Sequence, residues 1–414
     1  MRYMGNTPEH QESKLQSIDG VAQSVAVLGS TGSIGHSVLE IARRYPDRFH
    51  VEVLVAGTNV QVLLRQIEEF RPKFIGIADE SAGEVLRDQL RSNNDPYYAL
   101  IIRDDRICLG ANAAEEVLRR CKVDMVIGAV VGIAGLPSSL EALRQGSRLL
   151  LANKESLVCG GKLLTDAVKE FGGTIVPVDS EHSAIAQIVE MLRDRELRSL
   201  CLTASGGPFL NFSVQQMEFI TPEQAVKHPR WSMGAKISVD SSTLVNKALE
   251  LAEACWLFQC REDQIKVVVH PQSIIHSLVE LVDGVQMAHL SVADMQGAIS
   301  YAMARPGDRL PDVLPHLSLA EIGALTFQEL DDARFPAVAL MRDCMRTGGT
   351  APAVYNAANE AAVSLFLKGG LPWKGIVRLI AESVETFSST SYSSLKDLLS
   401  LHDEVVQFVN SRSL

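Results

Sequence analysis

Between Ser24 and Val178 short apolar runs (SVAVLG, FHVEVLVAG, KFIGIAD, YALIIR, VDMVIGAV, RLLLAN and GTIVPV) alternate with amphipathic stretches. A short β-branched run reads as a strand, and one that is apolar at consecutive positions is buried on both faces. This alternation restricts the first part of the chain to an α/β architecture, a doubly wound and mainly parallel sheet of the Rossmann type. Ligands of such sheets bind at the C-terminal ends of the strands, so the residues just after each run are the ones to weigh.

Beyond Asp179 the pattern changes. A helix signal near His182 to Arg193 precedes the run RSLCLTA, a loop punctuated by Gly and Pro, and the run IKVVVHP. HSLVELVDGVQMAHLSV comes next, with Asp283-Gly284 marking a hairpin. These signals predict a smaller α/β (α+β) domain with a mixed sheet, ending where Arg305-Pro306-Gly307-Asp308 breaks a helix pattern. From Asp331 onward NAANEAAVSLFLKG and WKGIVRLIAESVETF carry helical periodicity with few strand signals. A chain of 414 residues is long enough for several domains. We read residues 1–22 as a disordered polar tail, 23–178 as the Rossmann domain, 179–304 as a second domain, 305–330 as a linker and 331–414 as a C-terminal α-helical domain.

Composition removes several classes of function. The formal net charge of −11 disfavours a nucleic-acid surface, whose affinity rests on neutralising phosphates with Lys and Arg. The seven cysteines are scattered and include no C-x-x-C pair, which argues against disulfides and zinc and for a reducing, cytoplasmic setting. The longest uncharged apolar run, Met125 to Pro137, is too short to cross a bilayer core of about 30 Å, so no membrane association is expected.

Gly29-Ser30-Thr31-Gly32-Ser33-Ile34-Gly35 directly follows the first run and opens a helix pattern. A glycine-rich turn in that position aims backbone N–H groups and a helix N-terminus at a pyrophosphate, so Thr31, Gly32, Ser33 and Ile34 are candidate dinucleotide contacts. The second run ends in Ala56-Gly57-Thr58-Asn59, where an NAD enzyme places a carboxylate against the ribose hydroxyls. No carboxylate stands there, which favours NADP, with Gly57, Thr58 and Asn59 at the adenosine end.

Pro177-Val178-Asp179-Ser180-Glu181-His182 puts two carboxylates at the end of the last run. In Asn246-Lys247-Ala248-Leu249-Glu250, helical spacing places Asn246, Lys247 and Glu250 on one face. Asp179, Glu181 and Glu250 would form a hard oxygen site suited to Mg²⁺ or Mn²⁺, with Co²⁺ as a further option. Ser205-Gly206-Gly207-Pro208, with Ser241, Asn246 and Lys247, offers donors for a phosphate. His228-Pro229-Arg230-Trp231-Ser232-Met233-Gly234 places a large aromatic and a Met in a loop, as a cover over substrate would. Lys154, in Ala152-Asn153-Lys154-Glu155-Ser156, emerges at the ligand-binding edge, and His276 is a weaker candidate beside Pro271-Gln272-Ser273.

LGSTGSIG, AGTN, LLANKESLV, VPVDSEHSAI, TASGGPF, HPRWSMGAKISVDSSTLVNKALE and VVHPQSIIHS occur in this order. Together they resemble the 1-deoxy-D-xylulose 5-phosphate reductoisomerases, over roughly Val25 to Phe387. The resemblance implies a homodimer that rearranges and reduces a phosphorylated ketose with NADPH, by retro-aldol cleavage, re-addition and hydride transfer. It also implies catalytic and dimerising roles for 179–304. Asp179, Glu181 and Glu250 would hold the metal, and Lys154, Glu181, His228 and Trp231 would serve catalysis. Ser180, Glu181, Ser205, His228, Trp231, Met233, Ser241, Asn246, Lys247, Glu250 and His276 would meet the phosphosugar. Thr31, Gly32, Ser33, Ile34, Gly57, Thr58, Asn59, Ala129, Asn153, Lys154, Glu155 and Gly234 would meet the cofactor. Thr58 stands where many members have a basic residue. Two other classes fit the motifs taken singly, a plain Rossmann dehydrogenase with structural carboxylates and a nucleotide-sensing protein without catalysis.

Overall fold

The computed structural model describes residues 22–192, 197–228, 234–388 and 392–412. The expected N-terminal tail lies almost wholly outside them. Seven parallel strands form the first sheet: β1 (Gln23–Leu28), β2 (Phe49–Ala56), β3 (Phe74–Ile77), β4 (Ile107–Leu109), β5 (Met125–Gly128), β6 (Arg148–Leu151) and β7 (Thr174–Pro177). Their order is β4-β3-β2-β1-β5-β6-β7, so the chain reverses direction of travel between β1 and β5. Successive side chains of a strand face opposite sides. Accordingly, Ala26 and Leu28 of β1 join the core on one face of the sheet, while Val25 and Val27 join the core on the other.

One run departs from expectation. Tyr98 to Arg103 is helical, within Pro96–Arg103, and the strand at that point is the three-residue β4. Asp95 caps this helix by accepting from the N–H of Tyr97, with Pro96 at its first position, where proline's fixed φ and missing N–H cost nothing.

The second sheet has the order β11-β10-β8-β9-β12, from β8 (Leu197–Ala204), β9 (Ile265–Val269), β10 (Ile275–Leu281), β11 (Gln286–Leu290) and β12 (Gln328–Glu329). It is mixed: β8 and β9 are parallel and the other pairs antiparallel. Gly284 turns the β10–β11 hairpin with φ +91°. β12 shows that the stretch read as a linker ends inside this sheet.

Six helices outside the C-terminal domain carry or brace the residues singled out from sequence: α1 (Ser33–Arg44), α2 (Lys154–Phe171), α3 (Ser180–Val189), α4 (Ala235–Ser242), α5 (Val245–Phe258) and α6 (Met295–Met303). Ile299, Ala302 and Met303 of α6 return to the first sheet and complete the core on one of its faces. The C-terminal helices are α7 (Ala337–Thr347), α8 (Ala351–Leu367), α9 (Trp373–Phe387) and α10 (Leu395–Asn410). α8 is buried on nearly every side, as the central member of a bundle must be. Trp373 of α9 donates its indole N–H to Ser242 Oγ at 2.9 Å, docking the bundle on α4. No helix among the described residues is long and apolar enough to cross a membrane.

Candidate active site

Strands β2, β1, β5, β6 and β7 are consecutive neighbours. Their C-terminal ends deliver in spatial order Gly57 to Asn59, Thr31 to Ile34, Ala129, Asn153 to Glu155, and Asp179 to Glu181. The crevice at the β1–β5 switch is where a dinucleotide lies on a sheet of this kind. Glycine is needed there for space. A Cβ on Gly29 (φ +86°) would stand 2.4 Å from the carbonyl oxygen of Ala129, and one on Gly35 would stand 2.5 Å from the backbone of Gly29 and Ser30. These close approaches seat α1 directly on the turn. Gly32 is the N-cap of α1 and supplies no side-chain cap, so the first-turn N–H groups are available to an anion. At the end of β2, Asn59 accepts from the N–H of Val62 and caps the helix Val60–Phe70.

At the end of β6 the side chain of Asn153 is spent on the scaffold. It accepts from the N–H of Ser156 at 2.7 Å and donates to the carbonyls of Val130 and Gly132, tying β6 to the loop after β5. Lys154 is the first residue of α2 and points into the protein, only 5 % exposed. Its ammonium pairs with Asp179 and with Glu250 Oε1 (3.1 Å) and donates to Asn246 Oδ1 (2.9 Å). On α5, Asn246 donates to Glu250 Oε1 at 2.6 Å. Lys247 donates to Glu181 Oε1 at 2.8 Å and also to Glu250 Oε2. Ser180 donates to Glu181 Oε2 at 2.6 Å. Seven residues picked out from sequence, Lys154, Asp179, Ser180, Glu181, Asn246, Lys247 and Glu250, thus form one contact network. Burial alone would depress Lys154 and Lys247, but the carboxylates around them raise both above the usual range, so both carry charge. Burial lifts the Asp179 carboxyl to about 6, whereas Lys247 and Ser180 hold Glu181 well below the usual carboxylate range against the same effect.

Two further residues belong here that spacing alone did not single out. His182 and Glu253 are fully buried, with His182 Nδ1 3.3 Å from Glu253 Oε2. His182 Nε2 lies 2.8 Å from the backbone carbonyl of Glu250, so it carries the hydrogen and Nδ1 presents a lone pair. Asp179, His182 and Glu253 each offer one ligand atom, all within 4.8 Å of one another. His182 Nδ1 and both Glu253 oxygens lack a hydrogen-bond partner of good geometry, and Asp179 Oδ2 faces the Lys154 ammonium. Burial raises Glu253 well above the carboxylate range and lowers His182 to about 4. Four carboxyl groups therefore crowd around two ammonium groups, and a divalent cation would favour the ionised form of all four. The donor set fits such an ion.

Of the phosphate candidates, Asn246 and Lys247 lie in this network, and Ser205 and Ser241 meet across a glycine turn. Gly206 and Gly207 take φ +85° and +68°, and a Cβ on Gly207 would lie 2.6 Å from the Ser241 carbonyl. This approach brings the Ser205 turn against Ser241. Ser205 Oγ is 3.0 Å from His228 Nε2, and burial lowers His228 to about 4, so the ring is neutral near pH 7. His276 Nε2 lies 2.8 Å from Ser291 Oγ. A cavity of about 250 Å³ opens between Ser180, His276, Gln187, Ser291 and Arg309. It does not reach Lys154 or Glu250, so it adjoins the acidic network. Gly234 is the N-cap of α4. Trp231 and Met233 lie outside the described residues.

Profiles of 1-deoxy-D-xylulose 5-phosphate reductoisomerase match residues 25–161, with its C-terminal domain profiles matching 175–258 and 290–408. The reductoisomerase of Chlorobaculum tepidum is 43% identical over 377 residues, covering 91% of this chain and 96% of that protein. That of Dechloromonas aromatica is 44% identical over 387 residues, covering 92% and 95%. The Zymomonas mobilis reductoisomerase, solved with NADPH, superposes with a TM-score of 0.85 at 37% identity, covering 96% of this chain and all of that one. A reductoisomerase solved with NADPH, fosmidomycin and magnesium superposes with a TM-score of 0.84 at 37% identity, covering 94% and 98%. The chain belongs to the 1-deoxy-D-xylulose 5-phosphate reductoisomerase family.

Proposed function

We infer that the chain converts 1-deoxy-D-xylulose 5-phosphate to 2-C-methyl-D-erythritol 4-phosphate with NADPH and a divalent cation, in the non-mevalonate route to isoprenoid precursors. The observation that carries this is Lys154: flanked by Asn153 and Glu155 at the dinucleotide edge, it is bonded to Asp179 and Glu250 of the acidic network. Hydride donor and metal-held substrate would meet at that residue.

Asp179, Glu181 and Glu250 are the proposed metal ligands. His182 and Glu253 cluster with the same Asp179 and are fully buried. We read them as the buried support that fixes Asp179 and α5. When bound, the cation supplies Lewis acidity at the ketose carbonyl and its neighbouring hydroxyl, and NADPH supplies hydride. Lys154 donates to the same substrate oxygens and favours negative charge on them during carbon–carbon cleavage and re-addition. Glu181, held ionised by Lys247 and Ser180, accepts a hydrogen bond from the hydroxyl that loses its proton. Ser205, Ser241, Asn246 and Lys247 hold the phosphate, so the two fragments of a retro-aldol step stay in register. His228 steadies Ser205, and His276 lines the approach beside Ser180. On the dinucleotide, Thr31 to Ile34 cradle the pyrophosphate, with Gly57, Thr58, Asn59, Ala129, Glu155 and Gly234 around the rest. The family resemblance gives Trp231 and Met233, outside the described residues, the role of covering the substrate. The active unit is a homodimer, supported by the outer edge of β11, unpaired among the described residues, and by exposed Val282, Val285 and Leu290 around its hairpin.

Loss of NADPH absorbance with purified protein and 1-deoxy-D-xylulose 5-phosphate is expected with Mn²⁺ and is expected to stop with EDTA. Equal turnover in EDTA would replace this reading with a metal-independent dehydrogenase.

A further inference from the structure

Glu155, the second residue of α2, is buried at the ligand-binding edge next to Lys154. Its Oε1 accepts from Lys236 Nζ at 2.6 Å. Lys236 is the second residue of α4, and the same ammonium lies 2.9 Å from Oδ2 of Asp240, one turn further on. Asp240, 1 % exposed, accepts in turn from Asn359 Nδ2 of α8 at 2.8 Å through its other oxygen. Glu360, beside Asn359, accepts from the N–H of Ile133 at 3.2 Å, in the loop after β5. Polar contacts therefore pass from the end of β6 through α4 to α8, and from there back to the end of β5.

A buried ion pair adds little net stability, because desolvating both charges offsets their attraction. What Lys236 does supply is direction. A glutamate has three rotatable bonds, and the ammonium fixes them. Glu155 would otherwise turn toward Lys154, the other nearby cation, and draw it from Asp179 and Glu250. The charge of Lys236 also keeps Glu155 below its ordinary carboxylate range, although burial pushes the other way. Ala56 to Asn59 offer no carboxylate at the end of β2, and Glu155 supplies one at the end of β6, where it would accept from a ribose hydroxyl.

We propose that Lys236 is a positioning residue of the dinucleotide site, holding the Glu155 carboxylate toward the cofactor and away from Lys154. The proposal rests on the reading of Glu155 as a dinucleotide contact. NADPH binding is measured by its fluorescence on the full chain, together with kcat and KM for the phosphosugar. Lys236→Met is expected to weaken NADPH about ten- to a hundredfold, the range of a hydrogen bond to a charged group, with the phosphosugar KM changed less than about threefold. Lys236→Arg is expected to recover most of the loss. Lys236→Gln, of similar length without charge, carries the same expectation if the Met variant does not fold. Asn359→Ala, which leaves the Lys236–Glu155 pair in place, is expected to lower Tm without a comparable loss of NADPH. Glu155→Gln separates the two readings. Unchanged NADPH binding in Glu155→Gln would overturn both the role of Glu155 and the proposal. A loss in Glu155→Gln with none in Lys236→Met would overturn the proposal alone.

Discussion

At the scale of single residues, Glu250 is the node of the site: Lys154, Asn246 and Lys247 all donate to it. Glu250→Gln keeps its volume and removes the charge that the two ammonium groups and a cation need. Turnover with Mn²⁺ is expected to fall at least about a hundredfold, the scale of losing one electrostatic contact to the transition state, while NADPH binds within about threefold of the parent. Full turnover would remove Glu250 from the site. The residues of this network were legible in sequence where two signals coincided, a position just after a predicted strand, as for Asp179, Glu181 and Lys154, or a shared helical face, as for Asn246, Lys247 and Glu250. His182 and Glu253 were not, although each stands three residues after a candidate ligand, Asp179 and Glu250. Three-residue spacing says that side chains share a face but not that two such faces meet, and that meeting is set by how α3 packs against α5. Lys236 was passed over for a similar reason, since an exposed lysine is the ordinary expectation and only the fold shows what surrounds it.

At the scale of elements, α2 and α5 carry most of the network, so the distance between them is critical. α2 bends at Gly160, whose φ of −115° and ψ of 23° leave the helical range. A Cβ on the next residue, Gly161, would fall 2.2 Å from the indole of Trp256 on α5. The missing side chain lets the helices cross closely enough for Lys154 to reach Glu250. Gly161→Ala is expected to destabilise the protein by about 1–3 kcal/mol, the usual cost of overpacking, and to lower kcat about tenfold or more. Urea midpoints with initial rates measure both, and an unchanged kcat would show that the helix spacing does not set the site. Most elements followed from periodicity, because a buried parallel strand and an amphipathic helix leave different marks. The exception, Tyr98 to Arg103, shows the limit of an apolar run, which suits a buried strand and a half-buried helix alike. Asp95 and Pro96, a cap followed by a first-turn proline, held the information that decides it. β12 has two residues, too few to carry any period.

At the scale of the whole molecule, the edge strand β11 and its exposed apolar hairpin are the clearest unfinished surface among the described residues. Light scattering is expected to give twice the chain mass, and Leu290→Lys, which puts a charge on that edge, is expected to shift the protein toward the single-chain mass. A parent already at the single-chain mass would rule the homodimer out. Shifts in composition marked out three stretches of the chain, but not how they interlock, since contacts such as Asn359 to Asp240 join segments with no local signal in common. That interlocking bears on biosynthesis. The hydrogen bond from Ile133 to Glu360 closes a separation of 227 residues. At about 5–20 residues per second, the ribosome needs roughly 10 to 45 seconds to pass from one to the other. For most of that interval the nascent first sheet lacks α6, and α2 lacks α8, the C-terminal helix that packs on it. Apolar surface that the finished protein hides is then open to chaperones and to neighbouring nascent chains, so the yield of native protein depends on how that interval is managed in the cell.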